Sequence, residues 1–314
     1  MVDMATGRVM VLLNPMSGNA APDQVRKALE GRFQDGRLET HETAAGEDLG
    51  DAARRAVEKG FDVVVAAGGD GSVTAVANAL VHARLEDGAR ARLGILPLGT
   101  TNVLARELNI PLDLDEAVGL IAGPNATATV DAMRVNGRYY FTQVGIGVDA
   151  LMIRDTDEAS KKRFGPAAYL WTAAKRFVGF QPRRFSISAD GRTLRPRAAQ
   201  VVLANCGALG TSGLRWGEDV RPDDGRVDVC VVRSGSALDY LGVAWSVIRG
   251  RHRRDRNLHY LTAAKAVAVH SDQPLPVQAD GEVVGETPVE VRVAPGVLEV
   301  VVPVAAGGVP EPPA

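Results

Sequence analysis

Apolar and polar positions follow two different rhythms along the chain. In the first third, short apolar runs at residues 8–13, 61–66 and 93–96, with a weaker one at 38–42, read as strands. Between them apolar residues recur at helical spacing: Val25, Leu29 and Phe33, then Leu49, Ala52, Ala53, Ala56 and Val57, closed by Gly60. Val73, Val76, Ala77 and Leu80 fall at i, i+3, i+4 and i+7, one apolar helix face. Further helices are expected over 103–108 and in PLDLDEAVGLIAG. Strands that are apolar throughout, each followed by a helix, predict a parallel sheet covered on both faces.

Near residue 128 the rhythm changes to period two. MRVNGRYYF carries an Asn136-Gly137 turn between alternating residues, a strong hairpin signal. SISADGRTL, VDVCVV, AVAVHS, VQADGEVVG and VEVRVAPGVLEVVV continue in that style, interrupted by two helical patterns at 166–180 and 238–248. The expected organisation is an α/β domain over 1–127, a mainly antiparallel β domain over 128–305, and a flexible Pro/Gly-rich tail over 306–314. No internal repeat is visible.

Composition narrows the function classes. The 314 residues, 46% hydrophobic, can bury a sizeable core. A formal charge of -2 gives no basic bias toward nucleic acid. Cys206 and Cys230, far apart and each in an apolar run, read as buried thiols of a reducing cytoplasm. The first residues lack a signal-peptide pattern, and no window reaches the ~18–20 apolar residues of a membrane span, so any membrane contact is expected to be peripheral.

Candidate chemistry centres on VVVAAGGDGSVTAV at 63–76, a buried strand running into three glycines around Asp70. It is not a Walker A loop, which needs a Gly-Lys-[Ser/Thr] ending. Nor is it a dinucleotide fingerprint, because Thr74 stands where the third glycine belongs. Glycines and a helix N-terminus still favour phosphate, and Asp70 within them calls for a bridging cation such as Mg²⁺. The alternative is a tight turn in which Asp70 caps Val73 or Thr74. NPMSG (14–18) and PLGTTN (97–102) also follow predicted parallel strands, and Thr43 follows another, so all belong on one sheet edge. Together they look like a nucleotide cradle.

At this point the residues resemble the diacylglycerol kinase catalytic-domain family, with its bacterial lipid kinases and the related sphingosine and ceramide kinases. NPMSG matches the family's N-P-x-[SA]-G, AAGGDGSV its G-G-D-G-[TS] loop, and LPLGTTN…AR its L-P-x-G-T-x-N-x-x-A-R. GIGVDA (145–150), RPDDGRVDV (221–229) and QADGE (278–282) follow in family order, so the resemblance spans nearly the whole chain. It implies an N-terminal nucleotide domain with a parallel sheet, of the phosphofructokinase/NAD-kinase kind, and a C-terminal antiparallel β-sandwich forming the cleft. It implies ATP-dependent, Mg²⁺-dependent phosphorylation of a lipid hydroxyl. By position, Asn14, Ser17, Thr43, Gly68, Gly69, Asp70, Gly71, Ser72, Val73, Thr74, Thr100 and Asn102 would hold ATP. Asp70 would organise the catalytic Mg²⁺ with help from Asp131. Asp224 would ligate a structural Mg²⁺ with the main-chain carbonyls of Arg221 and Arg226. Glu282 would be the proton acceptor. Two positions depart from the family pattern: Thr74-Ala75 replaces Asn-Glu, and Val103 replaces the aspartate after Asn102. The second removes a carboxylate from the family's metal network and implies a rearranged Mg²⁺ shell or a subgroup with a different acceptor.

Glu282 has a chemical reading of its own. A primary alcohol is a poor nucleophile near neutral pH, and a carboxylate in hydrogen-bond reach can take its proton as the phosphoryl group arrives. The plainer reading makes it a solvated strand residue after an Asp280-Gly281 type I′ turn; the resemblance tips the balance to the base. Asp190-Gly191 reads as a turn alone, and Asp149 as either a pocket residue or a cap. Basic stretches at 161–163, 183–184 and 249–256 read as solvated surface, the last also as a candidate contact with anionic lipid. The leading reading is thus a cytoplasmic, peripherally membrane-acting lipid kinase with no nucleic-acid partner; a homodimer stays open. The alternatives are a NAD kinase-type enzyme and a catalytically silent nucleotide- or lipid-binding protein.

Overall fold

The computed structural model describes residues 7–15, 22–33, 36–44, 46–155, 182–209, 215–217, 219–233, 239, 242–243, 246 and 255–304. The expected helix at 166–180, nearly all of that at 238–248, the basic residues 161–163 and 249–254, Ser17 and the tail at 306–314 lie outside these residues. Two compact units divide the described chain, 7–130 with 297–304, and 131–296.

In the first unit strand and helix alternate as the sequence predicts: β1 (Val9–Leu13), α1 (Pro22–Leu29), β2 (Leu38–Glu42), α2 (Leu49–Glu58), β3 (Val63–Gly68), α3 (Asp70–Asp87), β4 (Arg92–Pro97), α4 (Val103–Glu107) and α5 (Leu114–Ala122). The four strands are parallel in the order β2-β1-β3-β4. Val9, Val11, Leu13, Val63, Val65 and Leu96 pack against Val25 and Leu29 of α1 and Val118 and Ile121 of α5. β1 and β3 are buried at every position, which explains their unbroken apolar runs. β2, at the edge, is largely exposed and correspondingly polar. β3 extends beyond the predicted 61–66 because Gly68 still pairs with Pro97. α3 buries Ala79, Val81 and Ala83 besides the predicted face, since it packs against α2 as well as the sheet. After Val297 the final strand returns to this unit, where Val300 pairs in parallel with Leu93 and Glu299 receives the Arg84 guanidinium at 2.6 Å.

The second unit begins within β5 (Ala126–Val135) and continues with β6 (Arg138–Tyr140), β7 (Gln143–Gly147), α6 (Val148–Asp155), β8 (Arg183–Ala189), β9 (Arg192–Leu194), β10 (Arg197–Ala198), β11 (Gln200–Ala204), β12 (Val227–Val232), β13 (Leu258–Ala263), β14 (Ala266–Ser271), β15 (Pro276–Ala279), β16 (Glu282–Glu286) and β17 (Val289–Val302). One antiparallel sheet runs β13-β12-β11-β7-β15-β16. A second contains β10-β8-β14-β17. Val144, Ile146, Val201, Leu203, Val229, Val231 and Val277 from the first meet Phe185, Ile187, Val267, Val269 and Val291 from the second, the period-two positions of the sequence. VDVCVV is apolar on both faces because Val202, Cys230, Val232 and Leu258 form another cluster on the far side. Cys206 and Cys230 are both buried and form no disulfide, and burial pushes the Cys230 thiol up to about 12.

Three hairpins turn on an Xaa-Gly pair with both residues at positive φ: Asn136-Gly137, Asp190-Gly191 and Asp280-Gly281. Their side chains explain which residue stands first. Asn136 must donate, and its amide reaches the Val284 carbonyl at 3.1 Å. Asp190 must accept, and its carboxylate takes the backbone N–H groups of Ala264, Lys265 and Ala266 at 2.7, 3.0 and 3.0 Å. Those N–H groups hold its carboxyl below the ordinary carboxylate range, the bond from Ala266 foremost. A depressed carboxyl stabilises the fold above its unfolded-state pKa and loses that contribution as pH falls through its folded pKa. Asp190→Asn should therefore lower the melting temperature at pH 7, and the gap to wild type should close in melts taken at progressively lower pH. A gap independent of pH would contradict this account.

Candidate functional site

In the first unit the site-forming loops all leave the carboxyl edge of the sheet, as the sequence predicts. Leu13 is level with Ala67 and Glu42, and Gly68 with Pro97, so the segments starting at Asn14, Thr43, Gly69 and Leu98 emerge together. β1 is followed by β2 on one side and β3 on the other, so strand order reverses between β1 and β3. Ligands of open parallel sheets bind outside the strand ends at such a point.

GGDG is divided between two elements: Gly68 ends β3, Gly69 precedes α3, and Asp70 and Gly71 open its first turn. Gly69, extended at φ -89° and ψ -171°, is the residue before α3 and, as a glycine, brings no side-chain cap of its own. The helix therefore begins on glycine, with Gly71 exposed, where backbone can approach an anion closely. Ser72, Val73 and Thr74 are buried beneath it.

Asp70 does not cap Val73 or Thr74. Its carboxylate crosses to the third loop, accepting from Thr101 Oγ1 at 2.5 Å, Asn102 N at 2.9 Å and Val103 N at 2.6 Å. It thus caps α4 from outside, a role that leaves Val103 free to be apolar because only its N–H is used. Asn102, buried and left-handed at φ 47°, ties the loop to itself through Gly99 N at 3.0 Å and the Gly99 carbonyl at 2.7 Å. The two glycine loops touch backbone to backbone: a Cβ at Gly99 would lie 2.6 Å from the Gly69 Cα. Only glycine permits that approach. Thr43 is buried, its hydroxyl on the Leu13 carbonyl at 3.3 Å, and Thr100 is exposed. Asn14 is half-buried.

The second unit gathers the expected metal residues. Asp131, 3% exposed, accepts from Gly225 N at 2.6 Å and Gly296 N at 2.7 Å, and its own N–H donates to the Pro222 carbonyl. It therefore sits against the loop that carries Arg221, Asp224 and Arg226. Burial pushes the Asp224 carboxyl up and the Asp131 charge adds to this, against the Arg226 N–H that it accepts at 3.0 Å. The Arg221 guanidinium grips Asp223 with two 3.0 Å bonds, which turns that side chain away from any cation role. Among the described residues no group of three or more His, Cys, Asp or Glu forms a metal cage. Asn205, fully buried, gives its amide to the Asp131 and Phe141 carbonyls at 2.9 and 2.8 Å, and its Oδ1 has no partner among the described residues.

Glu282 begins edge strand β16, exposed and two residues past Asp280. Its side chain makes no hydrogen bond or ion pair with a described residue. Asp280 is the residue that sequence reasoning missed: it accepts from Phe141 N at 2.8 Å, Thr142 N at 3.0 Å, Thr142 Oγ1 at 2.6 Å and Gln143 N at 3.1 Å. Nearby, burial pushes the Tyr140 phenol up, Arg138 opposing and the charges on Glu282 and Asp280 adding. Asp149 falls in α6, but its side chain lies outside what the structure describes.

This architecture recurs in known proteins. Residues 8–135 match the diacylglycerol kinase catalytic domain, and residues 142–302 match the YegS C-terminal NAD kinase beta sandwich-like domain. The structure of a putative diacylglycerol kinase from Bacillus anthracis str. Sterne shares the fold, with a TM-score of 0.75, 23% identity and coverage of 93% of this chain and 94% of that one. The diacylglycerol kinase of Bacillus subtilis (strain 168) is 28% identical over 294 residues, 90% of this chain and 92% of its own. That of Staphylococcus aureus (strain MRSA252) is 28% identical over 287 residues, 90% and 88% of the two chains. Fold and matched domains define a kinase that phosphorylates an alcohol. The chain belongs to the diacylglycerol kinase family.

Proposed function

We propose that this protein transfers the γ-phosphoryl group of ATP to the hydroxyl of diacylglycerol or a related long-chain lipid, with Mg²⁺ and with Glu282 as proton acceptor. The observation that carries the reading is the glycine-lined N-terminus of α3 at the β1/β3 switch point, locked to its neighbouring loop by Asp70. Such an end offers backbone N–H groups and a positive dipole end to phosphate oxygens. Asn14, Thr43, Gly68, Gly69, Gly71, Ser72, Val73, Thr74, Thr100 and Asn102 line or shape the same edge. The acceptor follows from the names of the curated relatives.

Each carboxylate has a distinct task. Asp70 sets the nucleotide loops and stands where a cation near the phosphates would need a counter-charge. Asp131 and Asp224, with the Arg221 and Arg226 carbonyls, offer only hard oxygen donors, which suit Mg²⁺. When bound, Mg²⁺ supplies charge neutralisation for the phosphates. Glu282 accepts the proton of the lipid hydroxyl as that oxygen bonds to phosphorus and ADP departs. No helix among the described residues is long and apolar enough to cross a membrane. Access to lipid is therefore proposed to be from the cytoplasmic surface, with the basic stretch 249–256 contributing about 1 kcal/mol per arginine on anionic lipid. The test is label transfer: terminal label from ATP must enter the lipid extract of a reaction given diacylglycerol and Mg²⁺. An unlabelled lipid extract overturns the proposal.

A further inference from the structure

The tip of the β15–β16 hairpin is fixed far more tightly than a surface turn requires. Asp280 receives three consecutive N–H groups and one hydroxyl from residues 141–143, and its own N–H returns to the Gln143 carbonyl at 3.0 Å. Gln278, fully buried, accepts from Gly281 N at 3.0 Å. The 141–143 turn is gripped from its other side, where the Phe141 carbonyl takes the Asn205 amide and the Cys206 thiol, and the Thr142 carbonyl takes the Asn205 and Cys206 N–H groups. A carboxylate accepting this many donors is a rigid joint. Glu282 stands two residues beyond it, its backbone paired with Ala279 and its side chain without a hydrogen bond to any described residue.

We propose that Asp280 is a positioning residue for Glu282: its anchored carboxylate fixes the hairpin tip from which Glu282 meets the acceptor hydroxyl. The inference rests on the reading of Glu282 as proton acceptor. General bases work only within hydrogen-bond reach of their proton, and a misplacement of about 1 Å can cost about 100-fold. A floppy edge-strand glutamate would satisfy neither condition. Asp190 supplies a control built into the same unit. It occupies the same Asp-Gly turn and binds three consecutive N–H groups, yet the residue two beyond it is Arg192.

The experiment compares Asp280→Ala, Asp190→Ala, Glu282→Gln and the Asp280→Ala/Glu282→Gln double variant of the full chain, in initial rates with ATP, Mg²⁺ and a short-chain diacylglycerol. Asp280→Ala should lose about 100-fold in kcat with its KM for ATP within about twofold of wild type. Asp190→Ala should keep kcat within about twofold while melting no higher than Asp280→Ala. The double variant should be within about twofold of Glu282→Gln, because a residue that acts through another adds nothing once the other is gone. A purely structural role would make the two losses multiply, and that outcome, or wild-type kcat in Asp280→Ala, overturns the inference while leaving the Glu282 reading in place. Wild-type kcat in Glu282→Gln is a separate failure: it removes the base reading and this inference with it. If Asp280→Ala fails to fold, Asp280→Asn, which keeps one accepting oxygen, must show a smaller kcat loss with the same failure to multiply.

Discussion

Glu282→Gln is expected to lower kcat by about 10²–10⁴-fold, the contribution typical of a general base, and to leave ATP affinity and thermal stability where they were. Stability should be spared because the Glu282 side chain is exposed and makes no hydrogen bond or ion pair with a described residue. Glutamine keeps the size of the side chain but cannot take a proton. Kinetics should therefore show a fall in kcat and kcat/KM together, with ATP binding by calorimetry unchanged. Unchanged turnover would return Glu282 to a solvated strand position in an edge hairpin.

Asp70→Asn fails differently, in binding and stability as well as turnover. The native carboxylate faces only donors: the Thr101 hydroxyl and the Asn102 and Val103 N–H groups. An amide presents one accepting oxygen and one NH₂, so at least one backbone donor loses its partner and the charge assistance disappears. The expected cost is about 2–3 kcal/mol of stability. The 98–103 loop loosens beside the α3 N-terminus, so ATP affinity should fall by at least about tenfold along with kcat. Melting curves and calorimetric ATP titration read both effects. A variant with wild-type melting temperature and wild-type ATP affinity would show that Asp70 does not organise these loops.

The contrast between these carboxylates shows what the sequence could and could not disclose. Strand-helix alternation and the later period-two stretches arise from burial, which periodicity records, so the order of elements and the shared edge of the loops were legible. Boundaries were less so: Gly68 stays in β3 and Asp70 already belongs to α3, because glycine carries no apolar signal in either setting. Long-range polar partners leave no local trace. Nothing near Asp70 announces a bond to Val103, and nothing near Asp280 announces a turn 137–139 residues away. One clue was present. Three hairpins share an Xaa-Gly turn, and the choice of Asp at 190 and 280 but Asn at 136 follows whether the side chain must accept or donate. The Val103 departure also makes local sense, since that position contributes its N–H to Asp70 and not its side chain.

The most direct measurement supplies ATP labelled on its terminal phosphate, with Mg²⁺, to parallel reactions containing diacylglycerol, a long-chain sphingoid alcohol, NAD or no acceptor, and separates the products by solvent extraction. The account predicts label in the lipid extract with diacylglycerol or the related alcohol, dependent on Mg²⁺ and reduced by Glu282→Gln, with none in NAD. Label in NAD alone, or ATP binding without transfer to any acceptor, would contradict it.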